Sequence, residues 1–117
     1  MINIENSIIC SVLEHDFIHS DKRIIEATLD PKVFSDQMNR FFVAGINRLK
    51  ELDEPICTDT LRHKLIEANK YNLYVEERLL DVISALHPFA TYNTFKKYYD
   101  YLVKENDRRK LREGIYI

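Results

Sequence analysis

The sequence predicts an all-α fold, on three observations. Glycine and proline are scarce, two and three in 117 residues, which suits long uninterrupted helices and not the many tight turns of an all-β domain. Apolar residues recur at three- and four-residue spacing, the period of a helix with one buried side. They make up 45% of the chain, enough for a core and too much for a disordered segment. The length fits one ordinary domain.

Ile4, Ile8, Ile9, Val12 and Leu13 share one face of a helix predicted over about 4–15, with Asn3 as its N-cap. A shorter helix is expected over 21–28, starting at Ser20 or Asp21 and turning Ile24, Ile25 and Ala27 inward. Asp30-Pro31 then breaks the chain into a turn, and Phe34 returns to the core. In "DQMNRFFVAGINRLKEL", Met38, Phe41, Phe42, Gly45, Leu49 and Leu52 trace the apolar stripe of a third helix, leaving Asn39, Arg40, Asn47 and Lys50 largely off it. Gly45 costs about 1 kcal/mol against alanine in a helix interior, so its place on the stripe predicts close approach by another helix. Leu61, Leu65 and Ile66 define a fourth helix over about 59–69. Val75, Leu79, Leu80, Ile83 and Leu86 define a fifth over about 75–86. His87-Pro88 stops it, "HPFATYN" reads as a short hinge, and a last helix runs from Thr91 to at least Arg112. Its inner side is Phe95, Tyr98, Tyr99 and Leu102. The stripe resumes at Leu111, Ile115 and Ile117 as the chain stops, which predicts a piece of a longer helical structure.

A formal charge of −2 and a pI near 6.1 remove any global argument for phosphate binding, though not for a local basic patch. Cys10 and Cys57 form no C-x-x-C and no disulfide framework, which points to a reducing, cytoplasmic setting. The N-terminal apolar run is too short and too interrupted for a signal peptide or a membrane span.

Three constellations invite a chemical reading. In "DEPICTDTL" (53–61) and His63, the residues Cys57, Asp59 and His63 have partly metal-like spacing, but a zinc site needs further ligands and no motif supplies them. A nucleophilic cysteine would also need a base and an oxyanion site. The competing reading is a helix start, with Pro55 ending the previous segment, Cys57 or Thr58 at the N-cap and Asp59 at the positive end of the helix dipole. "FKKYYDYLVK" (95–104) interleaves aromatics with lysines, as a base-stacking surface would, yet its aromatics also fall where a packed helix needs them. "DRRKLR" (107–112) is a basic cluster suited to a solvated face or a polyanion. Seven tyrosines and no tryptophan suit surfaces that are wet in one state and covered in another. No Walker loop, Rossmann fingerprint or H-E-x-x-H is present. The residues alone describe a small all-α interaction domain.

Several short features, in order, resemble the N-terminal domain of bacterial replicative DNA helicases of the DnaB type. They are Asn3-Ile4-Glu5 through Val12-Leu13; Leu29 to Phe34 leading into Asn39-Arg40-Phe41-Phe42; Pro55-Ile56-Cys57-Thr58-Asp59-Thr60-Leu61; and Pro88 to Asn93 followed by Tyr98 to Leu102 and Arg108-Arg109-Lys110-Leu111. Two residues depart from the family pattern: Cys57 replaces an aspartate and Asn6 an alanine.

The resemblance implies a small orthogonal bundle of about five helices over 1–88 and the first arm of a long helical hairpin over 89–117. It implies a scaffold with no catalytic residue, metal or cofactor of its own, ATP and Mg belonging to a motor domain. Such domains self-associate into dimers, build the collar of a hexamer, and dock primase and, in some systems, a loader; DNA is reached only through the full hexamer, and no membrane is involved. The implied partner surface is Phe95, Tyr98, Tyr99, Leu102, Arg108, Arg109 and Leu111. The helicase-binding C-terminal domain of a primase shares this architecture and stands as the alternative.

Overall fold

The computed structural model describes residues 2–85 and 87–114. Leu86, Ile115 and Ile117, assigned above to apolar stripes, lie outside the described residues. Among the described residues six α-helices and one 3-10 turn follow in order: α1 (Ile2–Leu13), α2 (Lys22–Glu26), the 3-10 turn Pro31–Val33, α3 (Gln37–Glu51), α4 (Thr58–Glu67), α5 (Leu73–Ile83) and α6 (Tyr92–Arg112). Among the described residues there is no strand, and no helix is long and apolar enough to cross a membrane.

α1 begins at Ile2 and not at a cap on Asn3, which lies exposed inside its first turn. The larger departure is its burial. Ile8, Ile9, Cys10, Ser11, Val12 and Leu13 are all buried, so α1 is covered on every side where a single inward face was expected. It packs against α5, α3, α6 and α2 in turn. The unbroken apolar run from Ile8 to Leu13, with only the small Cys10 and Ser11 within it, permits this. Ser11 satisfies its hydroxyl inside that packing, donating to the Ser7 carbonyl at 2.6 Å and accepting from the Phe89 N–H at 2.6 Å.

The remaining helices take their ends from local chemistry. Asp21, Asp36, Asn72 and Thr91 cap α2, α3, α5 and α6 through side-chain oxygens that accept backbone N–H groups. Three turns of helix close on residues with left-handed backbone: His19 (φ 52°), Asp53 (φ 54°) and Asn69 (φ 58°). At two of them the Glu54 N–H reaches the Leu49 carbonyl and the Lys70 N–H the Leu65 carbonyl, both at 3.0 Å, the paired closure that satisfies the last carbonyls of a helix. The segment before α6 is no free hinge. The Phe89 N–H is held by Ser11, and the Ala90 carbonyl accepts from the Asp21 N–H at 2.9 Å.

α3 is rotated from the predicted stripe. Its buried residues are Asn39, Phe42, Val43, Ile46 and Leu49, whereas Met38 and Phe41 are half-buried and Leu52 is exposed. The polar residues set off the stripe fasten α3 to the chain that precedes it. Arg40 Nε donates to the Phe34 carbonyl at 2.6 Å, Asn47 Nδ2 to the Leu29 carbonyl at 2.9 Å, and Lys50 Nζ to the Ala27 carbonyl. These donors supply partners for carbonyls of residues 27–34 that no regular ladder serves. Burial also pushes the Lys50 ammonium below its ordinary pKa. Ile66 of α4 and Leu80 of α5, both expected inside, are exposed, and Val82 takes an inner place on α5.

α4 crosses α3 at Gly45, as the glycine predicted. A Cβ built there would lie 2.6 Å from Leu61 Cδ1, and Leu61 is fully buried. α4 is tied to α5 by Arg62 and Glu76, which meet at 2.9 Å with roughly three quarters of each side chain covered. Arg62 holds the Glu76 carboxyl below the usual carboxylate range.

Two outcomes are expected. Gly45→Ala will destabilise by about 1 kcal/mol, because overpacking of about 1–3 kcal/mol outweighs the helix-propensity gain of about 1 kcal/mol. In a Leu61→Ala background the same change will stabilise, and urea melts of the four proteins read both signs. Glu76 has a folded pKa below its unfolded value, so its pairing stabilises fully above about pH 4.3 and fades as pH falls through the folded pKa. Glu76→Gln will therefore lower stability at pH 7 by about 1 kcal/mol or less and flatten the loss on acidification, measured by melting across pH 3–7.

Candidate functional site

The segment 53–63 is a joint between helices. Asp53, in its left-handed conformation, closes α3 two residues before Pro55, so the proline follows the stop and does not make it. Ile56 packs half-buried against the core, and its carbonyl meets His15 Nε2 at 2.9 Å. Thr58, buried, donates its hydroxyl to Glu14 Oε1 at 2.6 Å. The end of α1 thus positions the start of α4. Cys57 is the N-cap residue, and the Thr60 hydroxyl reaches back to accept its N–H at 3.0 Å; that is half of a capping box.

The three candidate chemical groups of this segment point to separate partners. Asp59 pairs with Arg62 at 2.9 Å, His63 with Glu67 at 3.0 Å, and Cys57 Sγ lies 3.5 Å from the Thr60 hydroxyl. Among the described residues no three His, Cys, Asp or Glu side chains gather closely enough to hold a metal ion. Cys10 lies in the core, where burial and the neighbouring Glu14 carboxylate push its thiol up to about 11; a thiol held protonated is a poor nucleophile.

The densest polar constellation lies elsewhere, around Glu5. This carboxylate sits on α1 at the positions three and four before Ile8 and Ile9, and it is fully buried. It accepts from the Ser35 N–H at 3.0 Å, the Ser35 hydroxyl, the Asp36 N–H at 3.3 Å and Asn39 Nδ2 at 3.2 Å. Asp36 caps α3 through the Asn39 N–H and also receives Arg78 Nη2 of α5 at 2.9 Å. One buried charge therefore joins α1 to the N-terminal end of α3, and through Asp36 to α5. Asn6, where the resemblance expects alanine, accepts from Asn39 Nδ2 at 3.2 Å. Asn39 Oδ1 is buried with no partner among the described residues. The sequence carried a signal for this centre: a glutamate within the apolar stripe of α1 must find donors or cost several kcal/mol.

α6 carries the residues of the expected partner surface, and the structure divides them. Phe95 and Leu102 are buried in this chain's own core. Tyr98 and Tyr99 are half-buried: Tyr98 stacks on Phe89 with ring centres 4.8 Å apart, and the Tyr99 hydroxyl accepts the Asp30 N–H at 2.9 Å. Burial raises the Tyr99 hydroxyl above its ordinary pKa. Arg109 turns back to Asn106 Oδ1 at 2.7 Å. Arg108 and Leu111 alone of the seven face solvent.

No family model, curated protein or solved structure matches this chain. Its residues and their geometry therefore carry the functional reading.

Glu5→Gln keeps the shape and removes the charge that four donors share, so stability will fall by about 2–4 kcal/mol, read from urea midpoints. Cys57→Asp will be neutral or stabilising by about 1 kcal/mol or less, because aspartate caps better. Loss of a bound metal or of the fold in Cys57→Asp would overturn the joint reading.

Proposed function

We propose that the chain is a non-catalytic scaffold and docking domain of the kind that heads a DnaB-type replicative helicase, serving assembly of the collar and recruitment of primase and, in some systems, a loader. One observation supports this reading above the rest. The residues that carry the resemblance work here as joints between helices. Glu5 links α1 to α3, Phe34 and Arg40 fasten the turn before α3, and Ile56 and Thr60 set the start of α4. A motif whose members each lock a different joint describes an architecture kept for its shape and surface. A catalytic motif brings its members to one point. In this reading ATP and Mg belong to a separate motor domain, and the setting is cytoplasmic.

Of the seven residues expected at the partner surface, Leu111, 63% exposed, is the apolar side chain left for a second copy, with Arg108 beside it one turn earlier. Sedimentation equilibrium of the chain is expected to show reversible self-association that Leu111→Glu abolishes without lowering the melting temperature. Purified primase is expected to bind the associated form. A strict monomer that ignores primase but captures a replicative helicase would instead select the primase-domain alternative.

A further inference from the structure

The charge of this molecule is segregated onto one helix. α6 holds seven of the 17 lysines and arginines but three of the 19 aspartates and glutamates, so the rest of a chain of formal charge −2 is distinctly acidic. At about 100° per residue, Lys97, Tyr101, Lys104, Arg108 and Arg112 fall on the side of α6 opposite the buried Phe95, Leu102 and Asn106. All five are exposed. The carboxylates of α6 lie off this line and two are already neutralised: Asp100 by Lys96 at 3.1 Å, Glu105 by Arg108. Among the described residues Lys97 and Lys104 have no carboxylate within ion-pair distance. A shallow, open depression beside them is lined by Asn93, Lys96, Lys97, Asp100, Tyr101 and Lys104. Tyr101, 42% exposed, stands between the two lysines.

We infer that this outer face of α6 is a binding surface for single-stranded nucleic acid, with Lys97 and Lys104 on phosphates, Arg108, 64% exposed, exchanging its Glu105 partner for a third, and Tyr101 stacking a base. Charge complementarity selects the occupant. A line of cations with one exposed ring among them matches a polyanion whose bases offer π-faces. The cations run about 16 Å along the helix axis, long enough to follow several nucleotides of an extended strand. The surface acts in this chain itself, so it goes beyond a role in which DNA is met only by an assembled ring.

The test is fluorescence anisotropy with a labelled oligodeoxythymidylate of about 20 nucleotides, using the whole chain. Wild type is expected to bind with a slope of log K against log salt of about −2, as release of ions from three phosphates requires. Lys97→Glu/Lys104→Glu is expected to weaken binding at least about tenfold. Arg48→Glu/Lys70→Glu, which changes net charge equally on other faces, is expected to leave it within about twofold. Tyr101→Ala is expected to weaken the single strand more than a duplex of the same length. All four residues of the two pairs are solvent-exposed or at the surface, and matching melting curves will show that the fold is kept. Absence of binding by wild type, equal loss in both double variants, or tighter binding of poly-glutamate than of the oligonucleotide would each overturn the assignment, the last in favour of an acidic protein partner.

Discussion

The fold depends on satisfying one buried carboxylate. Glu5 has no exposure to solvent, and an unpaired carboxylate at that depth would oppose folding by several kcal/mol. Its donors come from Ser35, Asp36 and Asn39, so the charge is tolerable only when the turn after Phe34 and the first turn of α3 lie against the start of α1. The positive end of the α3 dipole adds to the attraction. A demand on one side chain is thereby converted into a register between two helices far apart in sequence. The rotation of α3 follows from it, because Asn39 must face Glu5, and the buried face then becomes Phe42, Val43, Ile46 and Leu49.

The second organising feature is the central place of α1. A helix covered on all sides needs neighbours around its whole circumference, and a chain this short can supply them only by wrapping. α3 and α5 cover part of α1 and α6 runs across another part. The polar atoms that this burial strands are collected locally, by Ser11 on the Ser7 carbonyl and the Phe89 N–H and by His15 and Glu14 on the segment before α4. These contacts also hold the connections to α4 and α6, so the joints and the core are stabilised by the same residues.

α6 shows how one helix can serve two ends. Its inner side, Phe95 and Leu102 with the half-buried Tyr98 and Tyr99, completes the core. Its outer side collects the excess positive charge of the molecule. Reading 95–104 as a choice between packing and recognition sets the two sides in competition, but at helical spacing the aromatics at 95, 98 and 99 and the cations at 97, 104 and 108 do not share a face.

The all-α class, the order of the helices, the start of α2 at Asp21 and the close approach at Gly45 were legible in the sequence, because each follows from local period, local hydrogen bonding or the absence of one Cβ. The segment "DEPICTDTL" was likewise legible as a helix start, since Thr60 caps from within four residues. The rotation of α3, the exposure of Ile66 and Leu80, the internal fate of Phe95 and Leu102 and the role of Glu5 were not. Each depends on which distant element supplies a donor or a covering surface. Period identifies which residues share a face, but only tertiary packing decides which of two neighbouring faces is buried and which carboxylate in an apolar stripe finds its partners.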